Sequence, residues 1–148
     1  MSSYAPPFIP MSRKEMNDLG WDELDILLIT GDCYVDHPSY GIALIGRLML
    51  DEGFRCGIIA QPDWRNHESL QVMGKPRLAC AISSGNMDSM VNLYTAGRRL
   101  RRDDVYSESG TPGLRPPHAL IVYSQLARRA FPGIPILNGG MESSLRRV

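Results

Sequence analysis

The chain has 148 residues, of which 16 are basic and 16 are acidic, so its formal net charge is zero. This length suits a single domain with one core. A chain without net positive charge has no global field that attracts nucleic acid or anionic lipid, so any such binding would have to be local. The composition therefore favours one globular domain that is neutral overall.

The three cysteines, Cys33, Cys56 and Cys80, are odd in number and widely spaced. This usage favours reduced thiols over a disulfide framework. Residues 1–12 show no signal-peptide pattern, and no apolar run reaches membrane-spanning length. Together these features predict a cytoplasmic protein.

Residues 1–20 are predicted to be a proline-rich arm followed by a short helix. The prolines fix the backbone and remove amide donors, so the arm is expected to be extended. Ser12 and Glu15 fit a capping box for a helix over residues 13–19. Residues 21–148 are predicted to form the domain proper.

A strand, helix and second strand come next. Residues 25–30 and 58–60 are apolar without alternation, which is typical of strands covered on both faces. Between them, Ile42, Ile45 and Leu48 lie at helical spacing. This unit predicts a parallel sheet with right-handed crossovers.

The second half is predicted to add strands at residues 78–82 and 134–137. A helix is expected from about Asp88, and residues 118–131 carry an apolar stripe typical of another helix. Residues 103–117 lack periodicity and predict a mobile loop. The expected fold is a flavodoxin-like, doubly wound α/β sheet of at least four parallel strands, in the order 2-1-3-4, with helices on both faces.

Polar residues and glycines follow the carboxyl ends of all four predicted strands, the edge at which open α/β sheets bind ligands. Glycines allow close approach of a ligand or another backbone, and helix N-termini add amide donors. The candidate cofactor-binding residues are Asp32, Asp36, His37, Asp63, Gly85, Asn86, Asp88, Gly139, Gly140 and Glu142. The sequence contains no Ser-His-Asp spacing, nucleophile elbow or phosphate loop, so no catalytic residue is assigned.

These residues also have structural interpretations, because Asp and Asn at the start of a helix commonly cap it or brace a turn. Asp32, Asp36 and His37 have the chemistry of a divalent-metal site, although capping is the stronger interpretation and no metal ligand is assigned. Asp63 follows the second strand, where nucleotide-binding folds place an acid for the ribose. No Gly-x-Gly-x-x-Gly precedes it, which argues against a dinucleotide.

A basic run, residues 98–102, has the charge for phosphate contacts, and Tyr94 and Tyr106 have rings that stack on bases. Asp103 and Asp104 follow at once, so a solvated helix end paired with its acidic neighbours is the alternative to RNA binding. Cys33, placed among the strand-end loops, is the cysteine whose reactivity is worth testing.

Five segments together resemble the N-terminal region of YgiQ-type radical-SAM proteins, over essentially the whole chain. They are PMSRKEM at 10–16, GD at 31–32 with VDHP at 35–38, IAQPDWR at 59–65, GNMDSMVN at 85–92, and FPGIPILNGGMESSL at 131–145. The last looks like the fourth strand and loop of cobalamin-binding-type domains that precede radical-SAM domains.

The resemblance implies a following radical-SAM barrel, in which a Cys-x3-Cys-x2-Cys motif holds a 4Fe-4S cluster that reductively cleaves S-adenosylmethionine. This chain lacks that motif, so it is expected to bind neither group alone. Relatives also carry a further strand beyond the region where this chain stops, so the sheet is expected to end one strand short, with an exposed edge. The implied function is an accessory domain that shapes the substrate or cofactor side of the active site. The alternative is a non-catalytic interaction module for a partner protein or RNA.

Cobalamin is the remaining cofactor to consider. Domains of the methionine-synthase type place the axial histidine two residues after an Asp, with a Gly three residues further on. Here His37 follows Asp36 directly, and Gly41 lies one residue too far. Axial ligation by His37 is therefore not expected, while cobalamin bound without a histidine ligand stays open.

Overall fold

The first strand, β1 (Ile26–Thr30), is buried along its whole length and lies inside a four-stranded parallel sheet. The computed structural model describes residues 8–34 and 40–146. The other strands are β2 (Cys56–Ala60), β3 (Ala79–Ser83) and β4 (Ile136–Gly139). Their order is β2-β1-β3-β4, which confirms the predicted parallel sheet.

Helices connect these strands. They are α1 (Arg13–Asp18), α2 (Gly41–Asp51), α3 (Ser89–Leu93), α4 (Ala119–Ala130) and α5 (Met141–Arg146), with 3-10 helices at His67–Met73 and Glu108–Gly110. The predicted capping box opens α1, because the Glu15 amide donates to Ser12 Oγ at 3.2 Å and the Ser12 amide donates to Glu15 Oε2 at 3.0 Å. Within the described part of the chain, no helix combines the length and apolarity needed to cross a membrane.

The sheet separates two apolar cores. On one face, α1, α4 and the 3-10 helix His67–Met73 pack on Leu27, Ile29 and Ile82. On the other face, α2 and arm residue Ile9 pack on Leu28 and Ile58. The Ile58 amide also donates to the carbonyl of Pro10 at 2.9 Å, so the arm runs against β2. Helices therefore lie on both faces, as the apolar strands predicted.

The helix predicted from about Asp88 is present as α3, which Asp88 caps, and it ends at Leu93, because the chain turns back through Arg98, at φ +58°, and Tyr94 bridges Leu100. Two elements differ from the prediction. The last strand begins at Ile136 rather than 134, since Pro135 has no amide to donate, and it includes Asn138 and Gly139 instead of leaving them in a loop. The 3-10 helix His67–Met73 was not predicted.

A buried carboxylate, that of Asp25, lies at the amino end of β1. Asp25 accepts hydrogen bonds from the Arg55 amide at 2.9 Å, from Arg55 Nε at 3.1 Å and from Arg77 Nε at 2.8 Å. The hydrogen bonds from the Arg55 side chain, with further ones from its amide and from Arg77, hold the pKa of Asp25 well below its usual range, although burial opposes them. Asp25 thus ties the segments before β1, β2 and β3 together.

We expect Asp25→Asn to lower the free energy of unfolding at pH 7 by about 2 kcal/mol. Because the pKa of Asp25 is lower in the folded state, its contribution is present above its unfolded pKa and is lost as the pH falls below about 4. Urea denaturation at pH 7 and pH 3 measures both effects. The difference in the free energy of unfolding between wild type and Asp25→Asn should be smaller at pH 3 than at pH 7. A difference that does not depend on pH would contradict the lowered pKa of Asp25.

Candidate functional site

Asp32 follows β1 after one glycine and is buried at the carboxyl edge of the sheet. Its Oδ2 accepts a hydrogen bond of 2.6 Å from the amide of Asn86, and its own amide donates to Thr30 Oγ1 at 3.2 Å. The loops after β1 and β3 are therefore joined through this carboxylate. The structure brings Asp32, Gly85 and Asn86, all predicted site residues, to one place.

Two glycines make that junction possible. A Cβ on Gly31 would collide with the carbonyl of Ser84, and one on Gly85 would collide with the carboxylate of Asp32. Gly85 also has φ +107°, a conformation that side chains disfavour. The glycines after the strands thus serve close packing between two loops of the same chain.

Arg115 is the residue at this edge that sequence reasoning missed. It is fully buried, and its Nη2 lies 2.6 Å from Asp32 Oδ1 and 3.9 Å from Asp104 Oδ1. Its Nη1 donates to the carbonyls of Ser84 at 3.1 Å and Met87 at 3.3 Å. The segment predicted as a mobile loop therefore supplies the cation that neutralises the buried Asp32.

Gln61 links the loop after β2 to the same assembly. Its backbone has φ +46°, and its Nε2 donates to the Gly31 carbonyl at 3.0 Å and to Ser107 Oγ at 2.6 Å. Ser107 Oγ in turn donates to Asp104 Oδ2 at 2.9 Å. The loop after β2 and the segment between α3 and α4 are held to the β1 loop by side-chain hydrogen bonds.

Cys33, the cysteine placed in this region by the sequence, is partly buried, and its Sγ lies 3.4 Å from Gln61 Oε1. Burial raises the pKa of its thiol, and the negative charges of Glu108, Asp32 and Asp104 raise it further. The thiolate is the nucleophile, so this environment suppresses reactivity.

We expect Cys33 to react with iodoacetamide at pH 8 more slowly than the cysteine of an unstructured peptide, as followed by mass spectrometry. Glu108→Gln removes one of the charges that raise the pKa of the thiol and should speed the reaction. Cys56 and Cys80 provide internal controls, because burial raises the pKa of each to about 12 and they should stay unlabelled without denaturant. Faster labelling of Cys33 than of the peptide would contradict the prediction.

Two further predicted acids, Asp88 and Glu142, accept hydrogen bonds at the starts of helices. Asp88 Oδ1 accepts from the amides of Met90 at 3.0 Å and Val91 at 3.2 Å, at the start of α3. Glu142, fully buried in α5, accepts from the amide of Ser89 at 2.9 Å through Oε2 and from that of Leu120 at 3.2 Å through Oε1. One carboxylate therefore accepts from the starts of both α3 and α4.

A cavity of about 560 Å³ opens beside these loops, between α2 and the strands β3 and β4. Its polar end is formed by four of the predicted site residues, Gly85, Asn86, Gly139 and Gly140. Asn86 is exposed there, and a Cβ on Gly140, at φ +85°, would press on Ser83 Oγ. The remaining wall is mainly apolar, so we call this cavity the α2 groove.

Other candidates lie elsewhere. Asp63 is exposed after β2, where its Oδ1 accepts from the Arg65 amide at 3.1 Å in a local turn. Asp36 and His37 lie outside the described residues. The arginines of the basic run are exposed, and two of them, Arg98 and Arg101, line a shallow cleft together with Tyr94.

The donor set does not fit an iron–sulfur cluster. Such a cluster needs several converging thiolates, whereas Cys56 and Cys80 are buried in separate strands and their raised pKa keeps them protonated. Among residues 8–34 and 40–146, no group of three or more His, Cys, Asp or Glu side chains is arranged to hold a metal ion. The described part of the edge offers packing, hydrogen-bonding groups and a groove.

Comparison with known proteins identifies a matching family and several relatives. A family model described as "Radical SAM N-terminal" matches residues 8–148. A UPF0313 protein of Rhodopseudomonas palustris is 58% identical over 142 residues, which are 96% of this chain and 21% of that protein. A UPF0313 protein of Bradyrhizobium diazoefficiens is 58% identical over 96% of this chain, and the match covers 21% of that protein. A UPF0313 protein of Chromobacterium violaceum is 55% identical over 96% of this chain, and the match covers 19% of that protein. The chain thus spans about a fifth of these relatives. No solved structure matches it significantly.

Proposed function

Because the chain belongs to the Radical SAM N-terminal family, we propose that it is the accessory domain of a radical-SAM iron–sulfur protein and shapes the substrate or cofactor side of its active site. The match over residues 8–148 confirms the resemblance to the N-terminal region of YgiQ-type proteins. That match is the observation that carries the proposal.

The chemistry of the strand-end edge supports an accessory role. Asp32 is committed to Arg115 and the Asn86 amide, while Asp88 and Glu142 are committed to helix amides. A general acid or base needs a carboxylate within reach of substrate, and these three are buried in hydrogen bonds inside the domain. Among the described residues around the groove at this edge, Asn86, Gly139 and Gly140 are exposed, and such a surface is suited to contact another domain or a ligand.

The 4Fe-4S cluster and S-adenosylmethionine belong, in this proposal, to the part of the longer protein that lies beyond the matched region. The thiols of this chain do not fit the cluster, so no step of the chemistry is assigned to them. The role of this chain is to position and enclose, since excluding water around a reacting centre strengthens the interactions there.

A chimera tests the proposal, with this chain replacing the matched region of the Rhodopseudomonas palustris relative. After anaerobic reconstitution, we expect the chimera to show the charge-transfer absorbance of the cluster and to cleave S-adenosylmethionine under reduction. The 148-residue chain alone should do neither. Asn86→Ala should change the rate of cleavage or its coupling to substrate while the iron content stays the same.

Asn17→Ala is the matched control, because Asn17 is exposed on α1, away from the strand ends. A reconstituted chimera without a cluster would overturn the radical-SAM assignment. Equal rates for Asn86→Ala, Asn17→Ala and the unmodified chimera would instead show that the edge does not shape the active site.

A further inference from the structure

Helix α2 is apolar around most of its circumference, well beyond the side that packs on the sheet. Gly46 and Leu50 face the core and are buried. Leu44 and Leu48, which lie next to Ile45 on another side of the helix, are 68% and 59% exposed. A helix that is apolar nearly all round is normally buried nearly all round. This one has a partner on one side only within the described chain.

The sheet is similarly half covered on the face that carries α2. Leu137 of β4 lies beside Ala81 of β3 in the parallel register, and its side chain is 53% exposed. On the opposite face, Ile136 packs against the core beneath α4. Parallel strands are found almost only where both faces are covered, so the exposed face over β3 and β4 is an incomplete layer.

The α2 groove lies between these two surfaces. Its walls include Ile42, Ile45 and Met49 from α2 and Leu137 from β4, and no described residue that lines it carries a charge. Exposed apolar surface of this kind, bordered by polar groups, marks an interaction site. The absence of charge on the described walls favours an apolar polypeptide as the occupant over an anionic ligand.

We propose that the α2 groove is the docking surface for a helix from the segment that follows the matched region in the longer relatives. About four fifths of each relative lies outside that region. The chain leaves β4 along the groove itself, because Met141, the first residue of α5, lines it and Leu145 of α5 is exposed. A helix laid there would complete the second layer of the sheet. This inference goes beyond the proposed function, since it requires no radical-SAM chemistry.

Hydrogen–deuterium exchange tests the docking. The full 148-residue chain is compared with the same chain extended by the segment that follows the matched region in the Rhodopseudomonas palustris relative. In the extended protein, we expect amides of α2 and β4 to exchange about tenfold more slowly, while those of β2 at the other edge keep their rates. Neither cluster nor S-adenosylmethionine enters the measurement, so its failure is separate from failure of the proposed function.

Ile45→Glu and Leu137→Glu place a charge in the groove and should abolish the slowing. Both positions are partly exposed, so circular dichroism of the unextended variants should match that of wild type. Val72→Glu is the matched control, because Val72 is 56% exposed on the 3-10 helix of the other face and should leave the slowing intact.

Two outcomes would overturn the proposal. One is exchange in α2 and β4 that the extension does not change. The other is a dimer of the unextended chain, seen by sedimentation and dissociated by Ile45→Glu, since the occupant would then be a second copy.

Discussion

Replacing Arg115 by Met should lower the free energy of unfolding by about 3–5 kcal/mol, because it leaves the buried charge of Asp32 without its cation. The same change removes the hydrogen bonds that Arg115 donates to the carbonyls of Ser84 and Met87, and the loss of a buried hydrogen bond lowers stability further. Urea denaturation at pH 7 measures the loss.

Arg99→Met is the matched control, since Arg99 is exposed and its replacement should change stability by less than about 0.5 kcal/mol. The double variant Asp32→Asn/Arg115→Met should recover part of the loss, because the unpaired charge is removed with its partner. An effect of Arg115→Met as small as that of Arg99→Met would show that the buried pair does not hold the loops.

Glu142→Ala should lower the free energy of unfolding by about 2–4 kcal/mol, because the buried amides of Ser89 in α3 and Leu120 in α4 both lose their acceptor, although Asp88 still caps α3. Glu142→Gln keeps one acceptor oxygen and should lose less. Urea denaturation gives the total loss, and hydrogen exchange at the amides of Ser89 and Leu120 should accelerate in Glu142→Ala.

Glu52→Ala supplies the comparison for this prediction, since Glu52 is exposed and follows the last residue of α2. Its effect should lie within about 0.5 kcal/mol of zero. Equal stability of Glu142→Ala and Glu52→Ala would contradict the role of Glu142 as a shared acceptor.

The sheet was predictable because its signals are local. The continuous apolar runs in β1 and β2 are separated by apolar residues at helical spacing, and this pattern predicts parallel strands with right-handed crossovers. The strands of the structure are parallel, in the predicted order β2-β1-β3-β4. The 3-10 helix His67–Met73 escaped prediction because its residues show no apolar period of their own. It is stabilised by tertiary contacts with α4, including a hydrogen bond of 2.9 Å from Gln71 Nε2 to the Ala130 carbonyl.

The acids of the candidate site could be predicted from the sequence, but their partners could not. The position of Asp32, Asp88 and Glu142 at one edge follows from strand polarity, and the structure places all three there. Their partners did not follow, because Arg115 lies in an aperiodic segment 83 residues after Asp32. A contact across that separation has no local pattern, so the sequence could not distinguish a buried ion pair from a solvated acid.

The position of Glu142 in α5 determines when, during synthesis, the starts of α3 and α4 can acquire their shared acceptor. Glu142 comes 53 residues after Ser89 and 22 after Leu120, so the residues of both helices are synthesised before the carboxylate that accepts from both of them. The starts of α3 and α4 acquire it only after β4 has left the ribosome and α5 has followed. A protease that cuts between β4 and α5 would reverse that last step and loosen two helices distant in sequence from the cut.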